Sequence, residues 1–85
     1  MAHPIDIEVE EIRKLRATKI RELRVARGLR KSQLALRCGS SYSHIDNIEH
    51  GRRIPSIQLL HRLAPELGVE FDDLALGDPT LRDAT

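Results

Sequence analysis

Glycine residues divide the middle of this chain into two short segments, and the spacing of these glycines constrains the fold more than any other feature of the sequence. Gly28 and Gly51 bound the region, and Gly39 separates its two segments. Glycine readily adopts the left-handed backbone conformation that ends a helix or turns the chain. The pattern therefore predicts two short helices, over residues 31–38 and 42–50, joined by a tight turn at Gly39.

Capping and apolar residues agree with this pair of helices. Ser41 precedes the second predicted helix and is a good N-cap, because its hydroxyl can accept a hydrogen bond from a free amide of the first turn. Apolar residues recur at helical spacing and form the predicted buried faces of both helices. These residues are Leu34, Ala35, Cys38, Ile45 and Ile48.

Length and composition predict one all-α domain. The chain has 85 residues, enough for one modest core, and its only aromatic residues are Tyr42 and Phe71. The core must therefore be aliphatic, and the β-branched residues are too scattered for a sheet. Cys38 is the only cysteine, which excludes an internal disulfide. No apolar run is long enough to span a bilayer and no signal-peptide core follows Met1, so we expect a cytoplasmic protein.

A long helix is predicted before this pair, over residues 7–27, because its apolar side chains fall within an arc of about 140°. These side chains are Ile5, Val9, Ile12, Leu15, Ile20, Leu23 and Ala26. The alternative is a break near Ala17, with Thr18 capping a shorter helix. We expect residues 1–17 to form a helical N-terminal extension and residues 18–76 to form the domain proper.

Two further helices are predicted in the second half of the domain. Ser56 is a suitable N-cap for the first of them, and Pro65 removes a hydrogen bond near its end, which predicts a kink or an early stop. The last helix, over residues 72–76, should bring Phe71 and Leu74 to the core. Residues 77–85 are expected to be an acidic, disordered tail.

Charge is distributed unevenly along the chain, although the net charge is only +1. Between Ile12 and Arg37, Glu22 is the only acidic residue against ten lysines and arginines, whereas acidic residues dominate after Pro65. A basic half of this kind is typical of a domain that binds a polyanion, and also of an ordinary solvated helix surface. The placement of the charges must decide between the two.

The second helix of the pair has a polar face opposite Ile45 and Ile48. Small donors and acceptors at the exposed start of a helix are what reading a DNA major groove requires. Asn47 could bind an adenine edge, and Asp46 could accept from a cytosine amino group or only orient a neighbouring side chain. The candidate base-contacting residues are Tyr42, Ser43, Asp46 and Asn47.

Cations are predicted on both sides of this helix. Arg30 and Lys31 open the first helix of the pair, whose N-terminal amides can also bind a phosphate, and His50, Arg52 and Arg53 follow the second helix. Phosphate contacts need positive charge at separated points around the groove. Charge that brackets the polar face is therefore better evidence for DNA binding than the number of basic residues.

Residues 20–74 resemble the Cro/C1-type helix-turn-helix family, also called Xre-like regulators. The resemblance covers about two-thirds of the chain and rests on many residues at fixed spacing. The matching residues are Ile20-Arg21-Glu22-Leu23-Arg24, Gly28-Leu29, Leu34-Ala35, Gly39, Ser41, Ile45, Ile48-Glu49, Gly51, Arg53, Pro55-Ser56, Leu59-Leu60, Leu63-Ala64, Leu67-Gly68-Val69 and Leu74.

The resemblance implies an all-α, five-helix, lambda-repressor-like fold with the helix from about Tyr42 to His50 in the major groove. It implies a buried ion pair between Arg24 and Glu49. The implied base contacts are Tyr42, Ser43 and Asn47, and the implied phosphate contacts are Lys31, Ser41, His44, His50 and Arg52 or Arg53. The family usually has a small capping residue and then Gln at positions 30 and 31, so this chain loses a helix cap there and gains charge.

We therefore expect a sequence-specific transcriptional regulator, a repressor, that binds double-stranded DNA as a homodimer on a two-fold symmetric operator. The alternative is an antitoxin-type module that neutralises a partner protein and regulates its own synthesis through DNA binding. His44 and His50 are about 240° apart on a helix and cannot share a metal. With no nucleophile–base constellation either, we expect no enzyme activity, no metal and no cofactor.

Overall fold

The computed structural model describes the backbone of residues 4–81 and the side chains of residues 9–81. Over this range the chain forms five helices and no strand, which confirms the all-α class. The helices are α1 (Pro4–Ala26), α2 (Lys31–Arg37), α3 (Tyr42–Glu49), α4 (Ile57–Leu67) and α5 (Phe71–Ala75). Cys38 and His50, predicted as the last residues of α2 and α3, are instead the C-caps of these helices.

One apolar core lies at the centre of the five helices, and every helix contributes to it. The side chains that are completely inaccessible to solvent are aliphatic: Ile20, Leu34, Ile45, Leu60, Leu63 and Leu74. Cys38 is buried in the same cluster, next to the turn between α2 and α3. The core that was expected from helical spacing in α2 and α3 is therefore the core that forms.

The turn between α2 and α3 holds these two helices in a fixed relation. Gly39 has a left-handed φ of 65°, and the Ser40 amide donates to the Ala35 carbonyl at 2.8 Å. The Ser41 hydroxyl accepts from the His44 amide at 3.1 Å, as expected for the N-cap of α3. At the start of α2, the Gln33 side chain accepts from the Arg30 amide at 2.8 Å, which offsets part of the missing cap.

Helix α1 is a single helix from Pro4 to Ala26, so the alternative break near Ala17 and Thr18 is wrong. The helix also crosses the expected boundary between residues 17 and 18 without interruption. Its buried residues are Val9, Arg16, Ala17 and Ile20, whereas Leu15, at one edge of the predicted apolar arc, is 61% exposed. The buried face is therefore rotated away from Leu15 relative to the predicted face. Residues 1–3 of the extension, and the Ile5 side chain, lie outside the described range.

A buried ion pair between Arg16 and Asp78 joins the middle of α1 to the end of the domain. Both side chains are 1% exposed, and Arg16 Nη2 lies 2.9 Å from Asp78 Oδ2. The same guanidinium donates to the carbonyl oxygens of Leu74 and Ala75, at 2.8 and 3.1 Å, and so caps the C-terminus of α5. The sequence pattern did not predict this role, because Arg16 was counted among the surface cations.

Residues 77–81 are part of the folded domain, so the expectation of a disordered tail from residue 77 is wrong for this segment. The Asp78 carboxylate accepts from the Thr80 amide and hydroxyl at 2.8 and 2.6 Å, and Leu81 packs against the core. Residues 82–85 of the expected tail lie outside the described range. Asp78, which was expected to belong to this solvated tail, is instead a buried partner of Arg16.

Helix α4 continues past Pro65 and ends at Leu67, so the expected stop at the proline does not occur. Pro65 lies in the last turn, where it removes only one helical hydrogen bond. Leu67 is buried in the core, and Gly68 then ends the helix with a left-handed φ of 73°. The burial of Leu67 outweighs the loss of this hydrogen bond, so the helix continues for two residues beyond Pro65.

Candidate nucleic-acid interface

Helix α3 has one face in the core and the opposite face in solvent. Ile45, Ile48 and Glu49 are buried. Tyr42 and Ser43, at the start of the helix, are exposed, while Asp46 and Asn47 are half-buried on the outer side. The four residues predicted to contact bases therefore share the accessible side of α3.

The buried carboxylate of Glu49 fixes α3 to the end of α1. Arg24 Nε and Nη2 donate to the two Glu49 oxygens at 2.7 and 3.0 Å, a bidentate arrangement. Arg24 Nη1 also donates to the Leu29 carbonyl at 2.8 Å, so the same guanidinium holds the loop before α2. The two residues that the resemblance pairs thus lie together, and their contact orients α2 and α3 as one unit.

On one side of α3, Lys31 lies at the first position of α2. Its ammonium is 2.7 Å from Asp46 Oδ1 and 5.8 Å from the centre of the Tyr42 ring. The pair is partly exposed, so the ammonium remains accessible to a phosphate. Arg30, at the N-cap of α2, is exposed beside it.

On the other side of α3, cations follow the helix. His50 Nδ1 is 2.8 Å from the Asp46 carbonyl oxygen. Arg52 Nη1 donates to Asn47 Oδ1 at 3.3 Å and lies 3.7 Å from Asp46 Oδ2. Arg53 is exposed and forms no ion pair with any side chain in residues 9–81. Candidate phosphate ligands therefore lie beyond both edges of the polar face.

Two other predicted phosphate contacts lie at the start of α3 itself. Ser41 is exposed, and its hydroxyl oxygen accepts from the His44 amide, which leaves the hydroxyl proton free to donate to a phosphate. His44 is half-buried. These two residues are close to each other and to Tyr42, at the end of α3 that would enter a groove.

Asp46 is occupied by neighbouring cations rather than free to contact DNA. The hydrogen bond from Lys31 lowers the pKa of Asp46 below its ordinary value, and the same hydrogen bond raises the pKa of Lys31. Both groups are therefore charged at neutral pH. Of the two roles considered for Asp46, this geometry favours orientation of neighbouring side chains over a contact to cytosine.

Sequence reasoning missed the contacts within this interface. Lys31 and Asp46 are 15 residues apart and on different helices, and Arg52 reaches Asn47 from a loop. Helical spacing predicts neighbours three or four residues apart and is silent about contacts between elements. Opposite charges on the facing sides of α2 and α3 were the only available signal.

Within the described residues there is no membrane-spanning helix, no metal-binding cluster and no exposed thiol. None of the helices between residues 4 and 81 combines the length and hydrophobicity that a bilayer-spanning segment needs. The same part of the chain contains no group of three His, Cys, Asp or Glu residues placed to bind a metal ion. Cys38 is buried, and burial raises the pKa of its thiol, so it is not poised as a nucleophile.

The helical pair and its clamp define a helix-turn-helix DNA-binding domain, and comparison with known proteins agrees. The helix-turn-helix family HTH_3 matches residues 20–74. The chain therefore belongs to the Cro/C1-type, Xre-like family of DNA-binding transcriptional regulators. Members of this family are generally not enzymes.

Several known proteins are similar to this chain over 72% to 85% of its length. An uncharacterised HTH-type transcriptional regulator, y4dJ, from Sinorhizobium fredii is 34% identical over 64 residues, which cover 75% of this chain and 83% of that protein. An uncharacterised HTH-type transcriptional regulator from Methanothermobacter thermautotrophicus is 45% identical over 62 residues, covering 72% and 90%. The crystal structure of the restriction-modification controller protein C.AhdI from Aeromonas hydrophila has a TM-score of 0.68 and 29% identity, covering 85% of this chain and 99% of that chain.

Proposed function

We propose that this protein is a sequence-specific repressor that binds operator DNA as a homodimer and reads the major groove with α3. The observation that carries the proposal is the exposed polar face of α3, held by the Arg24–Glu49 clamp and bracketed by cations from α2 and from the loop after α3. A rigid reading helix with positive charge beyond both edges matches the two needs of specific recognition, base contacts and phosphate contacts.

Within this proposal, Tyr42, Ser43 and Asn47 contact bases. Asn47 offers an amide that can bind the adenine edge, and Tyr42 can pack on a thymine methyl group or bond to a phosphate. Asp46 orients its neighbours. The phosphate ligands are Arg30, Lys31, Ser41, His44, His50, Arg52 and Arg53.

The size of α3 supports the dimer. Its eight residues extend about 12 Å along the helix axis, which corresponds to only three or four base pairs. One such contact is too small to select an operator, whereas two related by a two-fold axis read two half-sites. Repression then requires only that the dimer occupy the operator.

Selection from a randomised duplex library, followed by sequencing, tests the proposal. We expect a two-fold symmetric motif whose half-sites are about one helical turn apart, and two protein chains per duplex by analytical ultracentrifugation. Absence of any enriched motif would refute sequence-specific binding. An asymmetric motif bound by one chain would refute the dimer and leave DNA reading intact. A transcription assay on the selected operator then distinguishes repression from activation.

A further inference from the structure

Asp46 lies at the centre of the interface, where basic side chains from three places in the chain surround its carboxylate. Its carboxylate is 2.7 Å from the Lys31 ammonium at the start of α2 and 3.4 Å from His50 Nδ1 at the end of α3. It is also 3.7 Å from Arg52 Nη1 in the following loop. All three side chains are candidate phosphate ligands, so one carboxylate lies beside three groups that the proposed function directs to DNA.

We propose that Asp46 sets the preference of this interface for its operator over other DNA, by holding Lys31 and Arg52 in place and by reducing the attraction of unrelated phosphates. The inference rests on the proposed function and assigns Asp46 a positioning role that is distinct from base contact. Glu49, the other acidic residue of α3, has no such role, because it is buried against Arg24 and out of reach of DNA.

The geometry allows Lys31 to keep its contact with Asp46 when DNA binds. An ammonium has three donors, and one of them is directed to Asp46, so the others remain available to a phosphate oxygen. The contact restricts a flexible side chain before binding and so reduces the entropy that is lost when the phosphate contact forms. Arg52 makes longer contacts, 3.7 Å to Asp46 and 3.3 Å to Asn47, so its side chain is restricted less than that of Lys31.

The negative charge of Asp46 acts differently on the two kinds of DNA. Attraction between cations and phosphates supplies essentially all of the affinity for unrelated DNA. A carboxylate between the phosphate ligands therefore lowers that affinity. On the operator, the base contacts of α3 add to the affinity, and Lys31 and Arg52 already lie where they can contact phosphates. The same carboxylate therefore lowers the affinity for the operator by a smaller factor.

The test is the substitution Asp46→Asn, which removes the charge and keeps the shape. Dissociation constants are measured for the operator selected by the wild type and for a scrambled duplex of equal length, over a range of salt concentrations. We expect the variant to bind the scrambled duplex about two- to thirtyfold more tightly, the factor that corresponds to one partly exposed charge pair in each subunit of the dimer. We expect operator affinity to stay constant or fall, so that the ratio of the two affinities decreases.

Asp72→Asn is the matched control, because Asp72 is an exposed aspartate on α5 and its loss changes the net charge equally. An equal rise in scrambled-duplex affinity in this control would overturn the proposal, since net charge alone would then explain it. An unchanged affinity ratio in Asp46→Asn would also overturn it.

A double-mutant cycle on Lys31 and Asp46 is the second measurement. If Asp46 acts through Lys31, then Lys31→Gln should weaken operator binding by different factors in the wild-type and Asp46→Asn backgrounds. Equal factors would refute an effect of Asp46 through Lys31.

The wild-type titration separates this proposal from the proposed function. A wild type that does not discriminate between the two duplexes refutes sequence-specific recognition itself, whereas a discriminating wild type with an equally discriminating variant refutes only the role of Asp46.

Discussion

Removal of the Asp78 carboxylate should destabilise the domain far more than removal of any exposed charge. In Asp78→Ala, the Arg16 guanidinium stays buried and charged but keeps only the carbonyl oxygens of Leu74 and Ala75 as acceptors. Breaking one side of a buried ion pair costs about 3–5 kcal/mol. A domain of 85 residues has a total free energy of unfolding of about 4–13 kcal/mol, so a large part of the stability depends on this contact.

Urea denaturation followed by circular dichroism measures the effect. With an m-value of about 1–1.5 kcal/mol/M, the midpoint should fall by about 2–5 M. Asp78→Asn keeps one amide oxygen, which can accept from Arg16 or from Thr80 but not from both, so it should lose less than the alanine variant, about 1–3 kcal/mol. It therefore remains measurable if the alanine variant does not fold. Asp72→Ala is the exposed control and should change stability by less than about 0.5 kcal/mol.

The pH dependence of unfolding gives an independent check on the same contact. Burial alone would raise the pKa of Asp78, but the hydrogen bonds from Thr80 and Arg16 outweigh it and lower the pKa below its ordinary value of 3.8. A carboxylate with a lowered pKa in the folded state stabilises the fold above its unfolded pKa, and this stability is lost as the pH falls through the folded pKa.

The difference in stability between the wild type and Asp78→Asn should therefore be constant near neutral pH and shrink below about pH 4. A surface ion pair contributes less than about 1 kcal/mol to the free energy of unfolding. If Asp78→Ala lowers this free energy by no more than that, the contact between Arg16 and Asp78 does not stabilise the domain as a buried pair should.

Three further substitutions test the interface. Asn47→Ala should reduce discrimination at one base position by about 1–3 kcal/mol in binding to variant operators, and unchanged discrimination at every position would remove Asn47 from the base contacts. Arg53→Ala should weaken binding to all sequences and lower the salt slope by about 2, one phosphate contact from each subunit of the dimer, whereas a loss confined to one base would contradict a phosphate contact. Glu49→Ala should lower the free energy of unfolding by about 3–5 kcal/mol, because Arg24 is left without its bidentate partner, and a melting temperature equal to that of the wild type would contradict the clamp.

Local rules were sufficient for most of the fold. Left-handed glycines, hydroxyl caps and apolar spacing act within one or two turns of helix, so the sequence alone predicted α2, α3 and their buried faces. The same rules failed at Pro65, where burial of Leu67 overrides the local preference of proline. They also misjudged the orientation of α1, because apolar spacing does not reveal that an arginine can occupy the centre of a buried face.

The candidate interface divides in the same way. The polar face of α3 and the nearby cations are visible in the sequence, because residue type and helical period decide which side chains share a face. Two hydrogen bonds depend instead on how α2 and the loop after α3 pack beside α3. They join Lys31 to Asp46 and Arg52 to Asn47. No spacing rule relates residues on separate elements.

The helices, the aliphatic composition of the core and the helical pair with its polar face can therefore be predicted without a structure, because caps, glycines and helical period act between near neighbours in the chain. Which charges are structural and which are available to DNA depends instead on the packing of distant segments. Arg16 and Asp78 are 62 residues apart, and both resemble surface residues in the sequence. Folding removes them from water, and a buried charge must then have a partner. Exposed Arg53 stays available to a phosphate for the opposite reason, since the packing of the domain leaves it in solvent.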